Sequence, residues 1–138
     1  MRKVLKELKN LARSVELDEA ATALYNKLIW NSAHDANKQK QITRFWHEHS
    51  LKLSTPIEIA AGTKWCMKSS SGNFCGTFAK DCKAIGIISD IGECLLLDKP
   101  SIMPDNALYD DIPYDHDRIQ LSSLSSDLLD KVLASVYA

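Results

Sequence analysis

The sequence predicts an α+β domain with N-terminal helices, a central and mainly antiparallel sheet of about five strands, and a C-terminal helix. Three observations support this prediction. Apolar residues recur at helical spacing in residues 2–50 and again in residues 125–137. Short apolar runs bounded by glycines and polar turns fill the region between them. Helices grouped apart from strands, and not alternating with them, are typical of this fold class.

Length and composition predict one folded unit. A chain of 138 residues has the usual size of a single globular domain, so we expect one domain over residues 1–138. Hydrophobic residues make up 45% of the chain and charged residues 25%, as in an ordinary globular protein. A chain of this length buries about two-thirds of its unfolded surface, so its core needs no metal ion or disulfide to form.

Three helices are predicted before residue 51. The first covers residues 2–12. Asp18 is placed to cap the second helix, and Ser32 or Asp35 to cap the third, which runs to about Ser50. The predicted inner sides are Val4, Leu5, Leu8, Leu11 and Ala12 in the first helix, Leu17, Ala21, Leu24, Tyr25 and Leu28 in the second, and Ile42, Phe45, Trp46 and Leu53 in the third.

Residues 51–98 predict the strands of the sheet. Pro56 has no backbone N–H to donate, so it marks a turn or the first residue of a strand that ends at Gly62. The runs at 83–89 and 94–98 carry apolar residues on both faces. Such runs are typical of central strands that are covered on both sides.

Residues 64–79 predict a β-hairpin with a symmetric, serine-rich turn. In that register Cys66 faces Cys75 directly. The same register places Trp65 opposite Gly76, where the indole ring can cover the bare glycine.

The last third of the chain begins with a long polar loop at 99–117 that contains three prolines. A short edge strand at Ile119 and Leu121 follows it, and Ser125 or Ser126 caps the last helix. The predicted inner side of that helix consists of Leu128, Leu129, Val132 and Leu133.

Neither the cysteines nor the histidines form a metal-site pattern. The four cysteines lie nine, seven and twelve residues apart, whereas a structural zinc site uses closely spaced pairs. His47 and His49 lie two residues apart on a helix, so their side chains point roughly 200° apart and cannot share a metal. We interpret one of them as a surface residue and the other as packed against Trp46. The sequence therefore predicts no metal and no cofactor.

The cysteines are interpreted as small apolar residues of the strands, with thiols kept reduced in the cytoplasm. A disulfide between Cys66 and Cys75 would require an oxidising compartment. Cys82, which lies near a turn, is the most exposed candidate for a reactive thiol.

The long loop contains the strongest candidate for a binding site. Between residues 105 and 117 the chain has five aspartates, two tyrosines and no lysine or arginine. It lacks the mid-loop glycine and terminal glutamate of a calcium loop. Tyrosines supply rigid contact area, and clustered carboxylates attract a basic partner. The residues predicted to contact that partner are Tyr109, Asp110, Asp111, Tyr114, Asp115 and Asp117.

These features predict a non-catalytic protein-binding domain, such as an inhibitor or immunity-type protein that neutralises a basic partner like a toxin nuclease. A small thiol- or histidine-dependent enzyme is the first alternative, with Cys82 as the most exposed candidate for its nucleophile. The second alternative is a nucleic-acid accessory protein. It would use a basic stripe on the first helix, formed by Arg2, Lys6, Lys9 and Arg13.

Charge and hydropathy narrow the range of partners. Residues 1–52 carry ten basic and six acidic side chains and residues 53–138 carry seven and twelve, which leaves a net charge of −1. Nucleic acid is therefore the less favoured partner. The N-terminus is charged throughout and no apolar run approaches the ~20 residues of a membrane helix, so we expect a cytoplasmic protein without a membrane contact.

Overall fold

The structure, a computed structural model, describes residues 2–30, 36–69, 72–90, 92–103 and 117–138. The order of its elements confirms the predicted α+β class, with N-terminal helices, a central antiparallel sheet and a C-terminal helix. The elements are α1 (Arg2–Arg13), α2 (Glu19–Trp30), α3 (Ala36–His49), β1 (Leu51–Ile59), β2 (Lys64–Ser69), β3 (Gly72–Phe78), β4 (Cys82–Asp90), β5 (Gly92–Leu97), β6 (Ile102–Met103), β7 (Arg118–Gln120), a 3₁₀ helix (Leu121–Ser123) and α4 (Ser126–Val136).

The described strands are divided between two sheets. The central sheet has four strands in the order β1-β4-β5-β7, and the smaller sheet has three in the order β2-β3-β6. The hairpin β2–β3 joins β6 and not the central sheet, through the pairs Thr77–Met103 and Phe78–Ile102. Its outward residues Cys66 and Cys75 are exposed, so the hairpin needs cover on one face only.

The central sheet is covered on both faces, as the apolar pattern of β4 and β5 predicts. On one face, Ile87 and Leu95 pack with α1, α4 and the small sheet. On the other face, Ile88 and Leu96 pack with α2 and α3. Alternate residues of the same two strands therefore supply two separate hydrophobic clusters.

Strand β1 is longer than its sequence suggests. It begins at Leu51, and its pairing with β4 is irregular between Lys52 and Ile57. Pro56 lies inside this irregular stretch on an edge strand, where its missing N–H breaks no ladder bond. The prediction that Leu53 belongs to α3 was wrong: Leu53 is buried in β1, although its distance from Trp46 also fits a helical repeat.

The last helix holds the irregular part of β1 in place. The Thr55 amide donates to Ser135 Oγ at 3.2 Å, and the same hydroxyl donates to the Thr55 carbonyl at 2.7 Å. One serine on α4 therefore satisfies both the N–H and the carbonyl of Thr55, a residue within the irregular stretch.

The α1 and α2 predictions are confirmed except at one residue. Leu8 and Ala12 are fully buried, and Asp18 Oδ1 accepts the Ala21 amide at 2.7 Å as a helix cap. Leu24 was predicted to face inward but is 48% exposed. Ala21 and Leu28 are the residues of α2 that are buried in the hydrophobic cluster, and Leu24 lies to the side of them on the helix.

No helix in the described ranges is both long and apolar enough to cross a membrane.

Ser125 caps α4, because its side chain accepts the Leu128 amide at 3.3 Å. Replacing Ser125 with alanine is expected to lower the free energy of unfolding by about 1 kcal/mol. Ser126→Ala is the matched control, since Ser126 is the exposed neighbour in the first turn. Urea denaturation measures both, and equal effects of the two variants would count against a capping role.

Candidate partner-binding site

Five of the six predicted contact residues lie outside the described residues. They belong to the stretch 104–116, here called the acidic segment, which carries four aspartates, two tyrosines and no lysine or arginine. The five are Tyr109, Asp110, Asp111, Tyr114 and Asp115. The structure places Asp117 and both attachment points of the segment.

The acidic segment starts from the small sheet. The strand that precedes it, β6, pairs with the end of β3 through Phe78–Ile102 and Thr77–Met103. The Ser101 carbonyl accepts the Ala79 amide at 2.7 Å, and Ser101 itself is buried. The chain is thus held by backbone bonds up to the residue where the segment begins.

The segment ends on the edge of the central sheet. The Leu97 amide donates to the Asp117 carbonyl at 2.7 Å. Strand β7 then pairs with β5 through Leu96–Arg118 and Leu95–Ile119. The two attachment points therefore belong to different sheets, and both are fixed by backbone hydrogen bonds.

Asp117 faces inward in this structure. It is 0% exposed, and its Oδ1 lies 3.3 Å from Nε of Arg118, whose side chain is 11% exposed. We assign Asp117 to holding the end of the acidic segment, since a carboxylate without exposure is not available to a second protein. The other five predicted residues are the candidates for contact with the partner.

An open cleft of about 510 Å³ lies where β1 ends and β4 begins, lined in part by Asp81, Cys82 and Asp98. Asp81 Oδ1 accepts the Ala61 amide at 2.8 Å, and Asp98 Oδ1 accepts the Lys83 amide at 2.9 Å. Both carboxylates therefore satisfy backbone groups next to strand ends. These hydrogen bonds give both carboxylates a role in the fold.

The prediction that Cys82 is the most exposed cysteine was wrong. Cys82 is 4% exposed because it is the first residue of β4 and its side chain joins the core. Burial raises the pKa of the Cys82 thiol, and a hydrogen bond with Ser101 offsets this in part. A buried thiol with a raised pKa is a weak nucleophile at neutral pH.

The predicted register of the β2–β3 hairpin is confirmed. Cys66 pairs with Cys75 and Trp65 pairs with Gly76. A disulfide joins Cys66 to Cys75, which differs from the expectation that all four thiols are reduced. Both bonded cysteines are exposed.

Both histidines of the pair, His47 and His49, lie in the last turn of α3. His49 stacks on Phe45 with ring centroids 4.4 Å apart, where packing against Trp46 was expected. In the part of the chain that the structure describes, no group of three or more His, Cys, Asp or Glu side chains could hold a metal ion.

The basic stripe on α1 is partly used within the fold. Nε of Arg13 donates to the Glu93 carboxylate and ties the end of α1 to β5. Lys6 is exposed and Lys9 is half-buried. This surface is thus an ordinary polar helix face with one of its charges neutralised.

Comparisons of the chain with protein-family models, with characterised proteins and with solved structures give no match.

Proposed function

We propose that this protein is a non-catalytic binding domain that neutralises a basic protein partner, such as a toxin nuclease, in the manner of an inhibitor or immunity protein. The observation that supports the proposal most is the acidic segment, whose two ends are fixed on different sheets by buried residues. Anchored ends lower the conformational entropy that a binding segment loses when it meets a partner.

The composition of the segment fits a basic surface. Asp110 and Asp111 would pair with lysine or arginine of the partner, and Asp115 would extend the negative field. Tyr109 and Tyr114 would supply apolar contact area at a low entropy cost. We further propose that this activity takes place in the cytoplasm.

The double variant Asp110→Asn/Asp111→Asn tests the proposal. The partner is first captured from lysate of the producing cells on the immobilised chain and identified by mass spectrometry, and then binding to the purified partner is measured. We expect the variant to raise Kd at least about tenfold, equal to about 1.4 kcal/mol, because charge pairs at such interfaces contribute this much or more. Most of the loss at low salt should appear as slower association.

Glu16→Gln/Asp130→Asn is the control, because it removes the same two negative charges from exposed positions elsewhere. It should leave Kd nearly unchanged. If the captured protein bound the wild type and the Asp110/Asp111 variant with the same affinity, the acidic segment would not be the binding site.

A further inference from the structure

The Cys66–Cys75 bond lies on the outward face of the hairpin. The two residues are directly opposite each other, and their Cα atoms are 4.0 Å apart. Both are exposed, as are Lys64 and Thr77, the neighbouring pair on the same face. A dissolved thiolate can therefore reach either sulfur without any opening of the core.

The hairpin has other interactions that hold it when the bond is open. Its backbone pairing extends from Lys64–Thr77 to Ser69–Gly72. On the inner face, the Trp65 ring covers Gly76 and packs in the main core cluster. The bond also closes a short loop, since the cysteines are nine residues apart, and short loops gain least from a cross-link.

The two remaining cysteines are shielded from the same chemistry. Cys82 is 4% exposed and Cys94 is 1% exposed. Burial keeps the Cys82 thiol protonated by raising its pKa. The fold thus separates one accessible sulfur pair from two thiols that cannot exchange with it in the native state.

We propose that Cys66–Cys75 is a site of reversible thiol–disulfide exchange with a dithiol reductant, opening and closing while the rest of the fold persists. One thiolate of the reductant attacks a sulfur of the pair and displaces the other cysteine as a thiolate, which takes up a proton. The second thiol of the reductant loses its proton and resolves the mixed disulfide. Two electrons reach the pair, giving two thiols, and the reductant leaves as a disulfide.

A reducing compartment such as the cytoplasm contains dithiol reductants, and the exposed pair is accessible to them. This inference does not depend on the acidic segment or its partner. The structural effect of opening the Cys66–Cys75 bond is confined to one hairpin. The base of that hairpin stays attached to β6 through Thr77–Met103 and Phe78–Ile102.

Dithiothreitol serves as the probe for the exchange. The purified full chain is titrated with it without denaturant, alkylated with iodoacetamide and mapped by mass spectrometry, while circular dichroism follows the fold. We expect no alkylation before reduction, and afterwards modification of Cys66 and Cys75 at least about a hundredfold faster than of Cys82 and Cys94. The dichroism spectrum should stay unchanged, and oxidised dithiothreitol should restore the unreactive form.

Three results would overturn the inference. These are no alkylation of Cys66 and Cys75 without denaturant, loss of the dichroism signal on reduction, and comparable reaction of the buried cysteines. The Cys66→Ser/Cys75→Ser variant provides a second measurement. It should give the dichroism spectrum of the wild type. If the variant failed to fold, the bond would be required for folding, and the inference would equally be overturned.

Discussion

Replacing Trp65 with alanine is expected to lower the free energy of unfolding by about 3–5 kcal/mol, one of the largest effects of any single substitution in this chain. Trp65 is buried and packs in the same cluster as Phe78 and Ile102, where the small sheet meets the core. Its loss would leave a cavity at the junction of the two sheets. Urea denaturation followed by circular dichroism measures the change.

The contact between Trp65 and Gly76 can be tested by a double-mutant cycle. A Cβ at Gly76 would lie 2.5 Å from Cζ2 of Trp65, so Gly76→Ala forces the ring or the strand to move. We expect Gly76→Ala to cost about 1–3 kcal/mol in the wild type and clearly less in the Trp65→Ala background, where the added methyl enters vacated space. Thr77→Ala, on the exposed face of the same strand, is the control. If the stability costs of Gly76→Ala and Trp65→Ala were additive, the Trp65 ring would not be packed on Gly76.

Replacing Arg118 with methionine is expected to cost about 3 kcal/mol at neutral pH. Asp117 is fully buried, and the substitution removes the cation that lies 3.3 Å from its carboxylate while keeping a side chain of similar length. A buried charge that loses its neighbouring cation is more costly than the removal of the whole pair. The free energy of unfolding, from chemical denaturation, is the measured quantity.

Two variants sharpen the Arg118 experiment. Asp117→Asn/Arg118→Met should recover part of the lost stability, because an amide carries no charge. Arg44→Met removes an exposed positive charge on α3 and should change stability by no more than about 0.5 kcal/mol. If Arg118→Met were as mild as Arg44→Met, the ion pair would have no role in holding this end of the acidic segment.

Features that depend on short stretches of chain could be predicted from the sequence. The caps at Asp18 and Ser125 follow from local hydrogen bonding, and both are observed. The register that places Trp65 over Gly76 follows from the symmetry of one turn. Each of these needs only residues that are neighbours along the chain.

The division into two sheets could not be predicted in the same way. It depends on the pairing of β3 with β6, a two-residue strand too short to show alternation and located inside a stretch that predicts a loop. Such a pairing is decided by contacts between distant segments. Only the folded chain reveals it.

The sequence contains a signal for the burial of Asp117, but the acidic composition around it obscures that signal. Asp117, Ile119 and Leu121 alternate along the chain, and all three are buried. The strand period therefore places Asp117 on the inner face with the apolar residues. The same alternation links Cys82 to the buried Ala84 on β4.

The attachment of the acidic segment to two sheets has a consequence for proteolysis. A single cut within 104–116 would leave one fragment ending just after β6 and another beginning just before β7. The second fragment contributes Leu121, Leu128 and Val132 to the main core cluster, so the fragments should remain one particle without a covalent link. Gel filtration of nicked protein should show a single peak of the original size, which separates into two only in denaturant.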